Sequence, residues 1–327
     1  MTELEDKWQK AWPEAIAVWS KYTRLVPATL CRTGAAASKE GLDESFAMIR
    51  FADQRIVIDL EYIHRVGLDG YAVEILAHEI GHHVFTPANA TDNLRLVARI
   101  RKALPTLERH VPLIANLYTD LLINDRLQRQ SSLRMADIYR ALGRQTKGTS
   151  SVWTLYMRIY EHLWNLPQGS LCGKKLDARA ETDAWLGSRT IRIYAREWLQ
   201  GAGRFAALML PYLLEKVLDI QAIPSGFSDL AGANEGCSIG GIINVDAGEA
   251  ADSVHPAEDP LITGEEPCLN ARDSIDALPQ DAGENASSRG QAREPFEYGE
   301  ILKAAGITMS DHDIAIAYYR ERALPHI

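Results

Sequence analysis

The chain has 327 residues, 46% of them hydrophobic and 24% charged, enough for one large domain or one with an appendage. That composition excludes a fibrous or wholly disordered protein. A net charge of −9 argues against nucleic acid as a partner.

The opening MTELEDKWQK is acidic and lacks the apolar core of a secretory signal. Residues 1 to about 30 carry Trp8, Trp12 and Trp19 at helical spacing, which predicts an amphipathic helix packed on the body. The stretch ESFAMIRFADQRIVIDLEYI alternates and is rich in Ile, Val and Phe. It predicts two short strands joined near Ala52 and Asp53. A strand from Arg55 to Leu60 is a candidate cleft edge for an extended ligand. Asp69 is placed to cap a helix beginning at Gly70, which Pro87 would end near Phe85. Four to six more helices are expected up to about Lys216, with breaks around Pro105, Gly143–Gly148, Pro167–Gly173 and Gly201–Gly203.

The composition changes at about Pro224. Residues 225–293 hold thirteen acids against three bases and a single aromatic, Phe227, so this stretch cannot bury enough surface to fold alone. Three parts are therefore expected: a body over 1–223, an acidic flexible, disordered linker over 224–293, and a short helical tail over 294–327. In the tail, Ser310 and Asp313 resemble a capping box. The longest apolar run, FAALMLPYLL, is too short to span a bilayer and contains Pro211. A soluble cytoplasmic protein without a membrane partner is expected. Cys31, Cys172, Cys237 and Cys268 lie far apart and form no CxxC pair, which speaks for reduced thiols and against a cysteine-built zinc finger.

Within the helix expected before Pro87, LAHEIGHHVF contains H-E-x-x-H. His78 and His82 are one helical turn apart, so they share a face and can grip one zinc ion. Glu79 sits beside them, where it can act as general base on a metal-activated water. His83 points about 100° away and is better read as a core or supporting histidine. Catalytic zinc usually takes three protein ligands, so a third is needed. In IANLYTDLLINDRL, Asn116, Asp120 and Asn124 recur every fourth residue, forming one polar row on an otherwise apolar helix. A carboxylate buried there needs a cation or strong donors. Asp120 is the first candidate; Glu181 and Asp183, in RAETDAWLGSR, are its rivals. His110, His162, Tyr118 and Tyr156 are candidate donors to an oxyanion.

A strand, then an H-E-x-x-H helix, then a later helix with an acidic ligand resembles the zincin class of metallopeptidases. The second element, N-x-x-x-D-x-x-I-N at Asn116, Asp120, Ile123 and Asn124, is similar to a group of bacterial metallopeptidases often associated with MoxR-type ATPases and von Willebrand A-domain proteins. AREWLQGAGRFAALMLPYLL and YYRERALPH resemble the same group. The likeness is best over residues 45–130. It implies an α+β, mostly helical zincin-like domain with a small β-sheet. It also implies zinc held by His78, His82 and Asp120, and hydrolysis of a peptide or protein substrate. A von Willebrand A-like domain, which many of that group carry, is not visible after the body. EGCS at 235–238 resembles the cysteine motif of peptide deformylases, but there the motif precedes the histidines and lies in a folded core. No P-loop occurs, and GAGRF does not follow a strand. The rival readings are a non-catalytic zinc-containing partner of such an ATPase assembly, and a helical adaptor without metal.

Overall fold

The computed structural model describes residues 1–20, 23–43, 45–51, 53–143, 150–173, 175–215 and 253–264. Helix α1 (Thr2–Trp19) is followed by β1 (Thr29–Cys31), α2 (Gly34–Lys39), β2 (Ala47–Arg50), β3 (Arg55–Asp59) and α3 (Leu60–Arg65). Then come α4 (Ala72–Val84), α5 (Ala90–Ala103), α6 (Val111–Gln130), α7 (Met135–Gly143), α8 (Ser151–Leu163), α9 (Ala178–Ile193) and α10 (Trp198–Glu215). One more turn, α11 (Pro260–Thr263), follows the described gap. The molecule is mostly helical with one small mixed sheet, as expected.

The two expected strands are β2 and β3, paired antiparallel with Ala47 opposite Ile58 and Arg50 opposite Arg55. A third, β1, pairs with β3 in parallel, Thr29 opposite Val57. The order β1-β3-β2 puts β3 in the centre. Its backbone is committed on both sides, so the segment from Arg55 is not a free edge for an extended ligand. Leu60 itself opens α3, which Asp59 caps by accepting from Tyr62 N at 3.0 Å.

Helix α4 runs through the interior, with every residue from Ile75 to His82 buried. It starts at Ala72, not Gly70, and its N-cap residue Tyr71 makes no side-chain cap bond. Asp69 does not cap it: its carboxylate lies 2.9 Å from His64 Nδ1, a competing partner already in reach. The end falls at Val84, before Pro87, as expected. Helix α1 lies along α4, burying Trp8, Trp12 and Trp19, and Trp19 Nε1 donates to the Ala77 carbonyl at 2.6 Å. Helix α6 also packs against α4. Gly81 lets the three helices meet: a Cβ there would come 2.7 Å from both Trp19 and Ile123, closer than side-chain carbons approach.

One expected break is corrected, and part of the expected linker falls among the described residues. Gly201–Gly203 do not end a helix; α10 runs through them. Gly201 is needed for close packing, since a Cβ there would come 2.8 Å from Tyr194 Cβ. Within the expected linker, residues 253–264 dock on α9 and α10. Asp259 accepts from Tyr194 Oη at 2.5 Å and from Arg204 Nε, and Ile262 is fully buried. Arg189 Nε adds a donor to the Ile262 carbonyl. The remainder of 224–293, the EGCS motif and the tail from 294 lie outside the described residues.

Candidate metal centre

Helices α4 and α6 cross so that the H-E-x-x-H face of one meets the polar row of the other. His78 Nε2 and His82 Nε2 are 3.2 Å apart. Asp120 Oδ1 lies 3.6 Å from the first and 3.4 Å from the second. Among the described residues these three form the single group of histidines, cysteines and acids compact enough to hold a metal ion. Burial is nearly complete: His78 is 8% exposed, His82 and Glu79 0%, and Asp120 1%.

Each ligand atom is oriented by a contact behind it. His82 Nδ1 lies 3.0 Å from the Thr86 carbonyl, just past the end of α4. His78 Nδ1 lies 2.7 Å from Asn124 Oδ1. Asn116 Nδ2 donates to Asp120 Oδ2 at 3.0 Å. The row read from α6 thus divides its labour, with Asp120 facing the histidines and the two asparagines holding what faces them. Facing these acceptor oxygens, both imidazoles carry their proton on Nδ1, away from the centre.

Two Nε2 lone pairs and a carboxyl oxygen then converge with no imidazole proton among them. Asp120 Oδ1 has no hydrogen-bond partner, a costly condition for a buried oxygen. Burial pushes the Asp120 carboxyl up to about 7, against the opposing pull of His78. A proton or a cation relieves this crowding, and the donor set (two imidazoles and one carboxylate) suits a divalent metal. His78, His82 and Asp120 could therefore hold a metal ion.

The rival ligands are engaged elsewhere. Glu181 pairs with Arg158 at 2.5 Å and with His162 at 3.0 Å. Asp183 accepts from Tyr212 Oη at 2.7 Å. Of the oxyanion candidates, Tyr118 donates to the Trp198 carbonyl at 2.6 Å, His110 accepts from Arg109 Nε at 3.0 Å, and His162 meets Glu181. Tyr156 alone of the four belongs to the surroundings of the centre. It forms a buried hydroxyl cluster with Tyr139 and Tyr160, and that cluster touches Asn124. His83 is half-buried outside the ligand group, and burial pulls its imidazole below the ordinary range.

Sequence reasoning missed Tyr139, Tyr160 and the Thr86 carbonyl. Tyr156 and Tyr160 are one turn apart on α8, a spacing that could have marked them as a pair. A cavity of about 300 Å³ lined by Trp8, Trp12, Pro27 and Leu76 lies on the Leu76 side of α4, roughly opposite His78 by helical geometry. No helix among the described residues is long and apolar enough to cross a membrane. Compared with protein-family models, curated proteins and solved structures, the chain finds no match.

Proposed function

We propose that the chain is a zinc-dependent metallopeptidase in which His78, His82 and Asp120 hold the metal and Glu79 is the general base. The observation that supports this most is the convergence of two Nε2 atoms and one carboxylate oxygen at 3.2–3.6 Å, in surroundings where a proton-free cluster is costly. Structural zinc sites are closed by four ligands and are often rich in cysteine; two histidines and a carboxylate leave a place for water. Held by these three side chains, zinc would supply Lewis acidity and activate a water towards attack. Glu79 follows His78 in the chain and so stands beside the ligand face. Its carboxylate takes the proton from the attacking water and passes it to the leaving amine. A peptide or protein is the substrate class that such chemistry serves.

Glu79→Gln is expected to retain zinc and to lower hydrolysis by ~10²–10⁴, measured on a peptide library with metal content assayed in parallel. Undiminished cleavage by the zinc-replete variant would remove Glu79 from the mechanism.

Burial favours a second reading. Glu79 and His82 are 0% exposed, whereas a substrate carbonyl must reach both metal and base. In that reading the zinc ties α4 to α6, and the chain is a non-catalytic partner in an assembly with a MoxR-type ATPase or a von Willebrand A-domain protein. Zinc-replete protein that cleaves nothing, yet loses stability on chelation, would decide for it.

A further inference from the structure

The two candidate ligand histidines are held by different kinds of partner. The Thr86 carbonyl behind His82 can only accept, so His82 must carry its proton on Nδ1 and leave Nε2 open. Behind His78 stands the side-chain amide of Asn124, which can present either its oxygen or its NH₂. With the NH₂ towards His78, the ring would keep its proton on Nε2 and could not bind a metal through that atom.

What decides lies on the far side of the amide. Asn124 Nδ2 is 2.8 Å from Tyr139 Oη and 3.0 Å from Tyr160 Oη. These hydroxyls form a triangle with Tyr156 Oη, with sides of 2.9, 3.0 and 3.5 Å. All three rings are buried. Burial, and then the neighbouring Tyr139, push the Tyr156 and Tyr160 hydroxyls well above their ordinary range, so they keep their protons at neutral pH. Three protons and three mutual contacts make a closed ring of donors and acceptors. Tyr139 and Tyr160 are then left with lone pairs towards Asn124. Only an NH₂ can serve two acceptors, and Oδ1 is thereby turned to His78.

We propose that the Tyr139–Tyr156–Tyr160 hydroxyl triangle, acting through Asn124, sets the tautomer of His78 and so frees its Nε2 for a divalent metal. The tyrosines and Asn124 are positioning residues. The link to metal rests on the reading of the site as a metal centre, and partners of this kind commonly change metal affinity 10–100-fold.

The test uses full-length protein stripped of metal and labelled with ¹⁵N-histidine. Long-range ¹H–¹⁵N correlation is expected to show His78 with Nδ1 protonated and Nε2 bare. A His78 protonated on Nε2 would overturn the proposal. This measurement needs neither mutation, metal nor substrate, so its failure is distinct from absent zinc binding or absent peptidase activity. Zinc affinity by chelator competition gives the second arm. Asn124→Leu is expected to weaken binding at least ~10-fold. Asn124→Asp should restore it, because a carboxylate presents only acceptor oxygen to His78 and so keeps the ring proton on Nδ1. The Tyr139→Phe/Tyr160→Phe double variant should show both His78 tautomers and a comparable loss. Unchanged affinity with a single Nδ1-protonated tautomer in that variant would show that the triangle does not set the ring.

Discussion

Of the carboxylates buried on helices of this protein, Asp120 on α6 and Glu161 on α8 have surroundings that differ in kind. Glu161 accepts from the backbone N–H groups of Gly169, Leu171 and Cys172 at 3.0, 2.6 and 3.0 Å. It also pairs with Arg158 at 2.9 Å. Its charge is met in full by donors, and its work is to fold the chain between α8 and α9. Asp120 receives one amide N–H on Oδ2, while Oδ1 faces two imidazole nitrogens whose protons point elsewhere. A carboxylate satisfied by fixed donors reads as structure. One left facing other metal-ligating atoms reads as a site.

The comparison breaks if the two residues respond alike to removal. Asp120→Ala is expected to lower zinc affinity by about a hundredfold or more, since a direct ligand goes; Glu161→Ala should leave it unchanged. Stability should move the other way. Glu161→Ala leaves the N–H groups of Gly169, Leu171 and Cys172 without their acceptor and leaves Arg158 with Glu181 alone, and is expected to cost about 3–5 kcal/mol, read by denaturant unfolding. In metal-free protein, Asp120→Asn should cost little or even stabilise, because it removes a poorly met charge.

The same contrast can be sharpened by pH. The folded Asp120 carboxyl stands at about 7, above the ~3.9 of an unfolded aspartate. A raised acid binds more protons folded than unfolded between those values. Metal-free protein should therefore lose stability as pH rises from ~4 to ~7, by on the order of 2–4 kcal/mol from this group. Asp120→Asn should flatten that slope, and saturating zinc should abolish it. A slope that survives the substitution would assign the effect to another group.

The smallest expected effect concerns a third carboxylate, Asp259, which anchors the docked segment. Burial pushes it up, but the Tyr194 hydroxyl and the Arg204 guanidinium outweigh that and hold it below its ordinary range. A depressed acid gives stability that is present above ~4 and lost as pH falls through the folded value. Asp259→Asn is expected to weaken docking of residues 253–264 by about 1–2 kcal/mol, seen as faster amide exchange there and nowhere near α4. Protection that persists would mean that Ile262 and the Arg189 contact hold the segment without Asp259.

How much of this could be read in the sequence follows from the range of each interaction. His78, Glu79 and His82 are legible because one helical turn fixes their shared face. The row Asn116, Asp120 and Asn124 is legible for the same reason, and an acid in so apolar a helix invites a question about its partner. The meeting of the two rows across α4 and α6 is long-range, so Glu181 and Asp183 stayed open as alternatives until their own partners were seen. The tyrosine triangle joins α7 to α8, and nothing local at Tyr139 announces it. Gly201 looked like a break because a glycine needed for close approach has the same sequence signature as one needed for a turn. Residues 253–264 dock through the Asp259 and Ile262 side chains and a backbone carbonyl met by Arg189, too few side chains to produce a periodic pattern. The central position of β3 depends on β1, a three-residue strand too short to be read from its own residues.

The most direct test of the central claim is metal analysis of purified full-length protein beside its Asp120→Ala variant. The expectation is about one zinc per wild-type chain, in line with one three-ligand centre, and a clear loss of zinc in the variant after dialysis. A wild-type chain that holds no metal, or an Asp120→Ala chain that keeps its zinc as firmly, would contradict it.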